Sequence, residues 1–461
     1  MSTRPNVVYL FADQLRARGL PLYGGTQFAM PNLNRLATQG TTLDHIVSTC
    51  PVCTPYRSML TTGRHPQTTG FVINSLRPRH DEIGLGDAFK HGGYQTAWVG
   101  KWHLYTGGWP ANNVPDWVPR GRPRLGFDHW RAYNQHMVYF DGFINSPTED
   151  WAAQQWKGYE TEALRDYAFE FMDQARQGDG PFACFISPQP PHWTPYQWAP
   201  EQYYDRVPDV IDPPSNVPAD AVEEWHRHAR NYAAMTLAVD DMLGDVMAYL
   251  DEHDLTDNTL LIFTSDHGTQ GMSHGVDFFN KKNPYEESFH VPFVARLPGV
   301  LEAGVRREAL TSPVDLMPTM LSLCDLRVPA TCEGLDLSDA WRGEANAVQH
   351  ESLFTMNFGG GYDNFYDGDE WRGVRTQRWS YAKWLDGREM LFDLETDPLQ
   401  LVNLVGDAGH TLVLDDLRAK LAVHQRERGD ELRPGSSYAD WVDKYRRVIR
   451  NGCGSSPNPL R

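Results

Sequence analysis

Five short apolar runs, four of them ending at residues able to do chemistry, constrain this chain most. NVVYLFAD (6–13), TAWVGK (96–101), FACFIS (182–187), TLLIFTSD (259–266) and VPFVARLP (291–298) are apolar without strict alternation and are bounded by turn residues. Such runs suit strands buried on both faces. Helix-length patterns lie between them. PNLNRLATQG (31–40) predicts a short helix ended by Gly40, and residues 221–250 place Met235, Val239, Met242, Val246 and Leu250 on one helical face. This alternation predicts an α/β fold, a mostly parallel sheet flanked by helices. Asp13-Gln14 ends the first run, Lys101 and His103 the second, Gln189-Pro-Pro-His192 follows the third, and Asp266-His267-Gly268 ends the fourth. Ligand sites in open α/β sheets gather at the carboxyl ends of strands, so these four ends predict one site.

The residue types suggest its chemistry. Asp13, Gln14, Asp266 and His267 offer three oxygen donors and an imidazole, a set that suits Ca²⁺, Mg²⁺ or Mn²⁺. The competing reading is that each carboxylate caps the helix after its strand. Arg57 and Lys101 are candidate anion holders, and His103 and His192 candidate acid–base groups. Lys282 reads as a solvated charge. Cys50-Pro-Val-Cys53 has the spacing of a redox or metal pair. Yet nothing around it reads as a thioredoxin-like unit, and no second C-x-x-C accompanies it for zinc.

Composition narrows the classes. Acidic side chains outnumber basic ones 60 to 42, for a formal charge of −18. That excess argues against a nucleic-acid binder but leaves room for an anionic substrate held by a few local cations. Six cysteines in 461 residues do not make a disulfide framework. The start, MSTRPNVVYLFADQ, has no apolar signal core, and no run is long enough to span a membrane. The expectation is a soluble, cytoplasmic protein, or a periplasmic or secreted one if a leader was trimmed.

The organisation expected is a catalytic α/β domain over 1–345, a small subdomain over 346–430 and a polar tail over 431–461. ESLFTMNF, WRGVRTQRWSYAKW and REMLFDLETDP predict a short antiparallel sheet, followed by a helix over 412–428. Tails of this kind can pack on a neighbouring subunit, which leaves a homo-oligomer open. Residues 102–198 hold eight of the fifteen tryptophans, suited either to flat sugar or aryl contacts or to core packing.

Cys53-Thr-Pro-Tyr-Arg57 with Thr62-Gly63-Arg64 resembles the C-x-P-x-R…T-G-R signature of the type I, formylglycine-dependent sulfatases. Gly93-Tyr-Gln-Thr-Ala-Trp-Val-Gly100-Lys101-Trp102-His103 resembles that family's G-Y-x-T…G-K-W-H block. RPNVVYLFADQ, the Pro-His192 loop, SDHG, Lys281-x-x-x-Tyr285-Glu-Glu-Ser before VPF, and FDLETDPLQLVNL follow in family order, over nearly the whole chain. The resemblance implies the alkaline-phosphatase-like fold with a small C-terminal antiparallel sheet, hydrolysis of an aryl or carbohydrate sulfate ester, and conversion of Cys53 to formylglycine by a formylglycine-generating or equivalent enzyme. A hydrated aldehyde has two hydroxyls on one carbon. One attacks sulfur and displaces the alcohol; deprotonating the other expels sulfate by C–O cleavage and restores the aldehyde, where a serine would remain a stable ester. The resemblance further implies that Asp13, Gln14, Asp266 and His267 hold one divalent cation, Ca²⁺ ahead of Mn²⁺ or Mg²⁺. Arg57 and Lys101 would hold the hydrate, and His103 would act as the base that releases sulfate. His192 and Lys281 would bind sulfate and help protonate the leaving oxygen, and Asn74 would contact substrate.

Two pairs depart from the commoner pattern. Many sulfatases carry Asp-Asp and Asp-Asn where this chain has Asp13-Gln14 and Asp266-His267. The pairs here resemble the choline-sulfatase and phosphonate monoester hydrolase branch, which keeps a phosphonate monoester or phosphodiester hydrolase as the nearest rival. A thiol–disulfide oxidoreductase and a non-catalytic sulfated-glycan binder are rivals from other classes. Tyr56 replaces the commoner Ser or Ala, either to alter recognition by the modifying enzyme or to pack.

Overall fold

Strands that are apolar on both faces need cover on both. They form the centre of an eight-stranded sheet in the computed structural model of the protein, which describes residues 4–79, 81–105, 117–452 and 454–455. The order across the sheet is Val305–Arg307, Thr41–Leu43, Val294–Arg296, Thr259–Ser265, Asn6–Ala12, Phe182–Ser187, Gln95–Lys101 and His129–Tyr133. Asn6–Ala12 runs parallel to both its neighbours, and the parallel pairing continues through Gln95–Lys101 to His129–Tyr133. Val294–Arg296 runs against both of its neighbours. The short strands Thr41–Leu43 and Val305–Arg307 and the edge strand His129–Tyr133 have no apolar run to announce them.

Side chains alternate across the sheet and build two cores. Val7, Tyr9 and Phe11 join Tyr56 and Leu60 of helix Cys53–Thr62 and Met317 and Met320 of helix Pro313–Leu323. Val8, Leu10 and Ala12 face the other way, onto helices Pro31–Gln39, Glu160–Ala175 and Val222–Glu252. In the last of these, Met235, Val239, Met242, Val246 and Leu250 form the buried face expected from their spacing. The parallel register pairs Ala12 with Ser265, Leu10 with Ile186, and Gly100 with Ser187. Asp13, Asp266, Lys101 and the segment after Ser187 therefore leave the sheet at one edge.

The C-terminal sheet is antiparallel, in the order Leu353–Asn357, Trp371–Arg375, Trp379–Trp384 and Glu389–Asp393. Helix Thr411–Glu427 covers it with Leu414, Leu417 and Leu421. Cys50, Met59 and Val72 share that cluster, so the small sheet is welded to the segment around the Cys53 helix. The polar sequence after 430 also folds back. Tyr438 and Trp441 enter the same cluster, and Asp430 pairs with the buried Arg372. Within 102–198, Trp102, Trp117, Trp130 and Trp156 are buried, whereas Trp151 and Trp193 are exposed; Trp109 lies outside the described residues, as does Cys453. Among the described residues no helix is long and apolar enough to cross a membrane.

Candidate active site

Cys53 is the first residue of a helix whose ten residues are all buried. The helix start offers unpaired N–H groups and the positive end of a dipole, a local preference for anions. One of those groups, the Thr54 N–H, donates to Asn74 Oδ1 at 2.9 Å, and the Thr54 hydroxyl donates to the His103 carbonyl at 2.6 Å. Around Cys53 Sγ stand His267 Nε2 at 3.2 Å, Lys281 Nζ at 3.4 Å, Asp13 Oδ1 at 3.7 Å and Lys101 Nζ at 3.8 Å. Burial and the charge of Asp13 push the Cys53 thiol up, with the lysines opposing. That is the reverse of the lowered thiol of a redox cysteine.

Arg57, one helical turn on, locks the carboxylates. Its guanidinium donates to Asp13 Oδ2 at 3.0 Å, Asp266 Oδ2 at 3.3 Å, the Lys101 carbonyl at 2.6 Å and Ser187 Oγ at 2.8 Å. Lys101 Nζ also pairs with Asp13 Oδ2, at 2.7 Å. The Oδ2 atoms are thus committed to cations of the chain, while both Oδ1 atoms face His267 Nε2, at 3.9 Å for Asp13 and 3.5 Å for Asp266. Gly100 makes this packing possible: it has a φ of +98°, and a Cβ there would come within 2.3 Å of the Ser187 carbonyl oxygen.

The two carboxylates titrate apart. Burial alone would raise both. Lys101, His192, Lys281 and Arg57 outweigh it at Asp13 and hold that carboxyl well below its ordinary value, whereas burial together with the charge of Asp13 drives Asp266 up. Burial holds His103, His192 and His267 well below the ordinary imidazole range, aided by Lys101 at His103 and by Lys281 at the other two. Both ring nitrogens of His103 are buried without a protein partner. Gln14 and His103 sit in the left-handed backbone region, at φ 71° and 55°. Such strained positions cluster at functional sites.

The family model described as Sulfatase matches residues 5–326, and one described as the C-terminal part of N-sulphoglucosamine sulphohydrolase matches residues 273–427. This chain belongs to the sulfatase family. It is 32% identical to an ulvan-active sulfatase of Formosa agariphila, over 99% of this chain and 90% of that one. A solved Bacteroides fragilis structure carrying the sulfatase name yidJ superposes with a TM-score of 0.82 at 25% identity, covering 94% of this chain and 97% of its own. A structure solved with its substrate D-glucosamine-2-N,6-O-disulfate has a TM-score of 0.78 at 22% identity, covering 93% of this chain and 99% of its own. This sulfatase therefore has the alkaline-phosphatase-like fold and is a hydrolase of sulfuric esters.

The donor set fits a hard divalent cation. Asp13, Asp266, His267 and Cys53 each bring a candidate ligand atom, all within 4.8 Å of one another. His267 Nδ1 lies 3.0 Å from the Gly268 carbonyl, which fixes its proton there and leaves Nε2 as the free lone pair. The Gln14 amide donates to the Phe279 carbonyl at 2.6 Å and to Thr269 at 3.2 Å, so its Oε1 turns toward Lys281 and the site. Two buried carboxylates this close need a compensating charge.

The structure brings together Asp13, Gln14, Cys53, Arg57, Lys101, Asp266, His267 and Lys281, with His103 and His192 within electrostatic reach. It places Asn74 as the cap of the Cys53 helix. One expectation is corrected: Lys282 is buried rather than solvated, because its ammonium docks on the Gly359 and Gly360 carbonyls and over the ring of Tyr362. Tyr56 packs, with its hydroxyl 3.0 Å from that of Tyr9. Ser187, Thr269, Tyr362 and the Phe279 carbonyl also contact the site and were not among the expected residues. Ser187 was findable, as the polar residue that closes an apolar run; the other three carry no local signal.

Proposed function

We propose that this sulfatase cleaves a carbohydrate or aryl sulfate through formylglycine at position 53, with one divalent cation, calcium first, held by Asp13, Gln14, Asp266 and His267. One observation carries the reading: a buried cysteine at a helix start with two carboxylates, an imidazole and two ammonium groups around it. The cation would supply Lewis acidity, withdrawing charge from oxygens of residue 53 and of the ester. Lys101 and Arg57 orient residue 53, and the same two cations tie Asp13 down. Lys281 keeps its proton because Cys53, Asp13 and Asp266 outweigh the burial that opposes its charge, so it meets the sulfate as a fixed cation. His192 Nδ1 lies 2.9 Å from the Trp193 carbonyl, leaving Nε2 to pick up a proton as the anionic ester offsets the lysine field, and then to pass it to the leaving alcohol oxygen. His103, held neutral, is the base that takes a proton from residue 53 so that sulfate departs. A carbohydrate alcohol is favoured because the matched C-terminal region is that of a sulphoglucosamine hydrolase and a structural neighbour is solved with a glucosamine disulfate.

The test has two parts. Peptide mass spectrometry across residue 53, on protein made in its own host, is expected to find the aldehyde or its hydrate; an intact thiol overturns the mechanism. Rates on 4-nitrophenyl sulfate, a phenyl phosphonate monoester and a phosphodiester are then compared. Sulfate turnover is expected to dominate, and phosphonate or diester turnover larger by orders of magnitude would replace this reading with the rival one.

A further inference from the structure

The C-terminal sheet sends one loop back to the site. Between strands Leu353–Asn357 and Trp371–Arg375 the chain runs Gly359-Gly360-Gly361-Tyr362-Asp363. The loop is drawn tight on itself: a Cβ at Gly361 would come within 2.0 Å of the Asn364 carbonyl oxygen. It presents Tyr362 beside both lysines, the ring centroid 5.7 Å from Lys281 Nζ and 4.5 Å from Lys282 Nζ. The Tyr362 hydroxyl lies near the Lys281 backbone and within the field of Cys53. It is buried, with the Lys281 backbone N–H beside its oxygen, and its own proton has no acceptor among the described residues. Burial holds its proton firmly, so it is a donor at any working pH.

Three contacts pin the loop to the Cys53 helix. The Tyr362 carbonyl accepts the Asn74 N–H at 2.8 Å, and Asn74 is the residue that caps Thr54. The Ser75 hydroxyl donates to Asp363. Arg446, from the segment read as a polar tail, donates to the Ser75 carbonyl at 2.6 Å and to the Asp363 carbonyl. The reacting sulfur must lie against Cys53, which is fully enclosed, so the alcohol of the ester has to extend toward the mouth of the site. Tyr362, beside Lys281 and only half-buried, lies on a side of the site that is not fully enclosed.

We propose that Tyr362 contacts the bound ester, its hydroxyl hydrogen-bonding a hydroxyl of the leaving alcohol, and that Arg446 is the positioning residue holding it there. The alcohol is then a polyol such as a sugar rather than a bare aryl ring. This rests on the sulfate-ester reading above. The test is calorimetric binding in the Cys53→Ala background, which needs neither turnover nor the aldehyde. The ligands are D-glucosamine 6-sulfate and 4-nitrophenyl sulfate, whose alcohol has no second hydroxyl. Tyr362→Phe is expected to weaken the sugar sulfate about three- to tenfold, the size of one hydrogen bond, and to leave the aryl sulfate unchanged; Arg446→Gln is expected to give the same split. Equal weakening of both ligands, no change in either, or no binding of the sugar sulfate overturns the inference. Failure of the sulfatase reading shows separately, as an aldehyde-bearing enzyme that turns over neither D-glucosamine 6-sulfate nor 4-nitrophenyl sulfate.

Discussion

Replacing Arg57 by lysine tests the electrostatic frame most directly. The guanidinium is fully buried, makes four hydrogen bonds and lies 4.9 Å from the centre of the Phe11 ring. A lysine ammonium keeps the charge but has no planar fork, so it cannot span Asp13 and Asp266 together with Ser187 and the Lys101 carbonyl. At least one charged contact and one neutral contact are lost, at about 1.5–3 and about 1 kcal/mol respectively. The total of about 2.5–4 kcal/mol overlaps the 3–5 kcal/mol typical of breaking a buried pair. Unfolding entropy near 2.1 cal/mol/K per residue gives about 1 kcal/mol per degree for a chain of 461 residues. The expected fall in Tm is therefore only about 2.5–4 °C, a change that leaves the protein folded at 25 °C. Activity should fall much further, about 10²–10³-fold in kcat, as when one preorganised donor is removed from an active site. Scanning calorimetry and initial rates on 4-nitrophenyl sulfate supply the two numbers. Mass spectrometry of the residue 53 peptide separates lost catalysis from failed modification, because Arg57 also lies in the modification signature. A variant with wild-type kcat, or one whose Tm is unchanged, refutes the role given to the guanidinium.

Cys53→Ala should abolish turnover, whereas Cys50→Ser should keep it and lose about 1–3 kcal/mol of stability by placing a hydroxyl in an apolar cluster; loss of activity in the Cys50 variant would revive the two-cysteine reading. Chelation followed by calcium at a hundred times its Kd should raise stability by about 2.7 kcal/mol, and Asp266→Asn should remove that gain, so an undiminished gain in the variant would take Asp266 out of the cation site. Glu286 pairs with Arg375 at 2.9 Å, and although burial opposes it, Arg375 brings the carboxyl down to about 2. A depressed carboxyl stabilises the fold above its unfolded value near 4.5 and loses that contribution as pH falls toward 2, about 3 kcal/mol in all. The urea stability gap between wild type and Glu286→Gln should therefore shrink between pH 6 and pH 3, and a constant gap would contradict the pairing. His103, neutral until well below pH 6.5, should give a kcat/KM profile whose acid limb lies below that value; a limb at or above it would argue for a different base.

The sheet and the four catalytic strand ends were legible because burial on both faces writes continuous apolar runs, and because a parallel register carries their carboxyl ends to one edge. Asp13, Lys101 and Asp266 close such runs, and His192 follows one within a short loop. What stayed hidden depends on long-range contact. Thr41–Leu43 and Val305–Arg307 are short and polar, strands only because they pair with each other and, for Thr41–Leu43, with Val294–Arg296. Lys282 reads as solvent-exposed from its neighbours in sequence, yet carbonyls 77 and 78 residues away receive it. Tyr362 reaches the site through a loop of the small sheet, and Arg446 reaches that loop from still further along the chain. No local pattern encodes either.

The same geometry bears on sulfur against phosphorus. Gln14 removes one formal negative charge relative to the commoner Asp, and the neutral His267 removes none relative to Asn; sulfate esters, phosphonate monoesters and phosphodiesters all carry one negative charge, so net charge does not separate them. The number of terminal oxygens does. A sulfate ester presents three, whereas a phosphonate monoester or phosphodiester presents two and puts carbon or an ester oxygen in the third place. Lys101 and Lys281 stand 3.8 and 3.4 Å from Cys53 Sγ, the proposed nucleophile position, and His192 acts on the same Asp13 that they neutralise. With Asp13, Asp266 and His267 also close to Cys53, the groups around this position are largely polar. A third substituent that cannot accept a hydrogen bond would leave one of these buried donors unpaired, at about 1–3 kcal/mol and more for a charged group. That penalty, near tenfold or greater in kcat/KM, favours the three-oxygen group, and His192, in the loop after Phe182–Ser187, is the side chain whose replacement should shrink it.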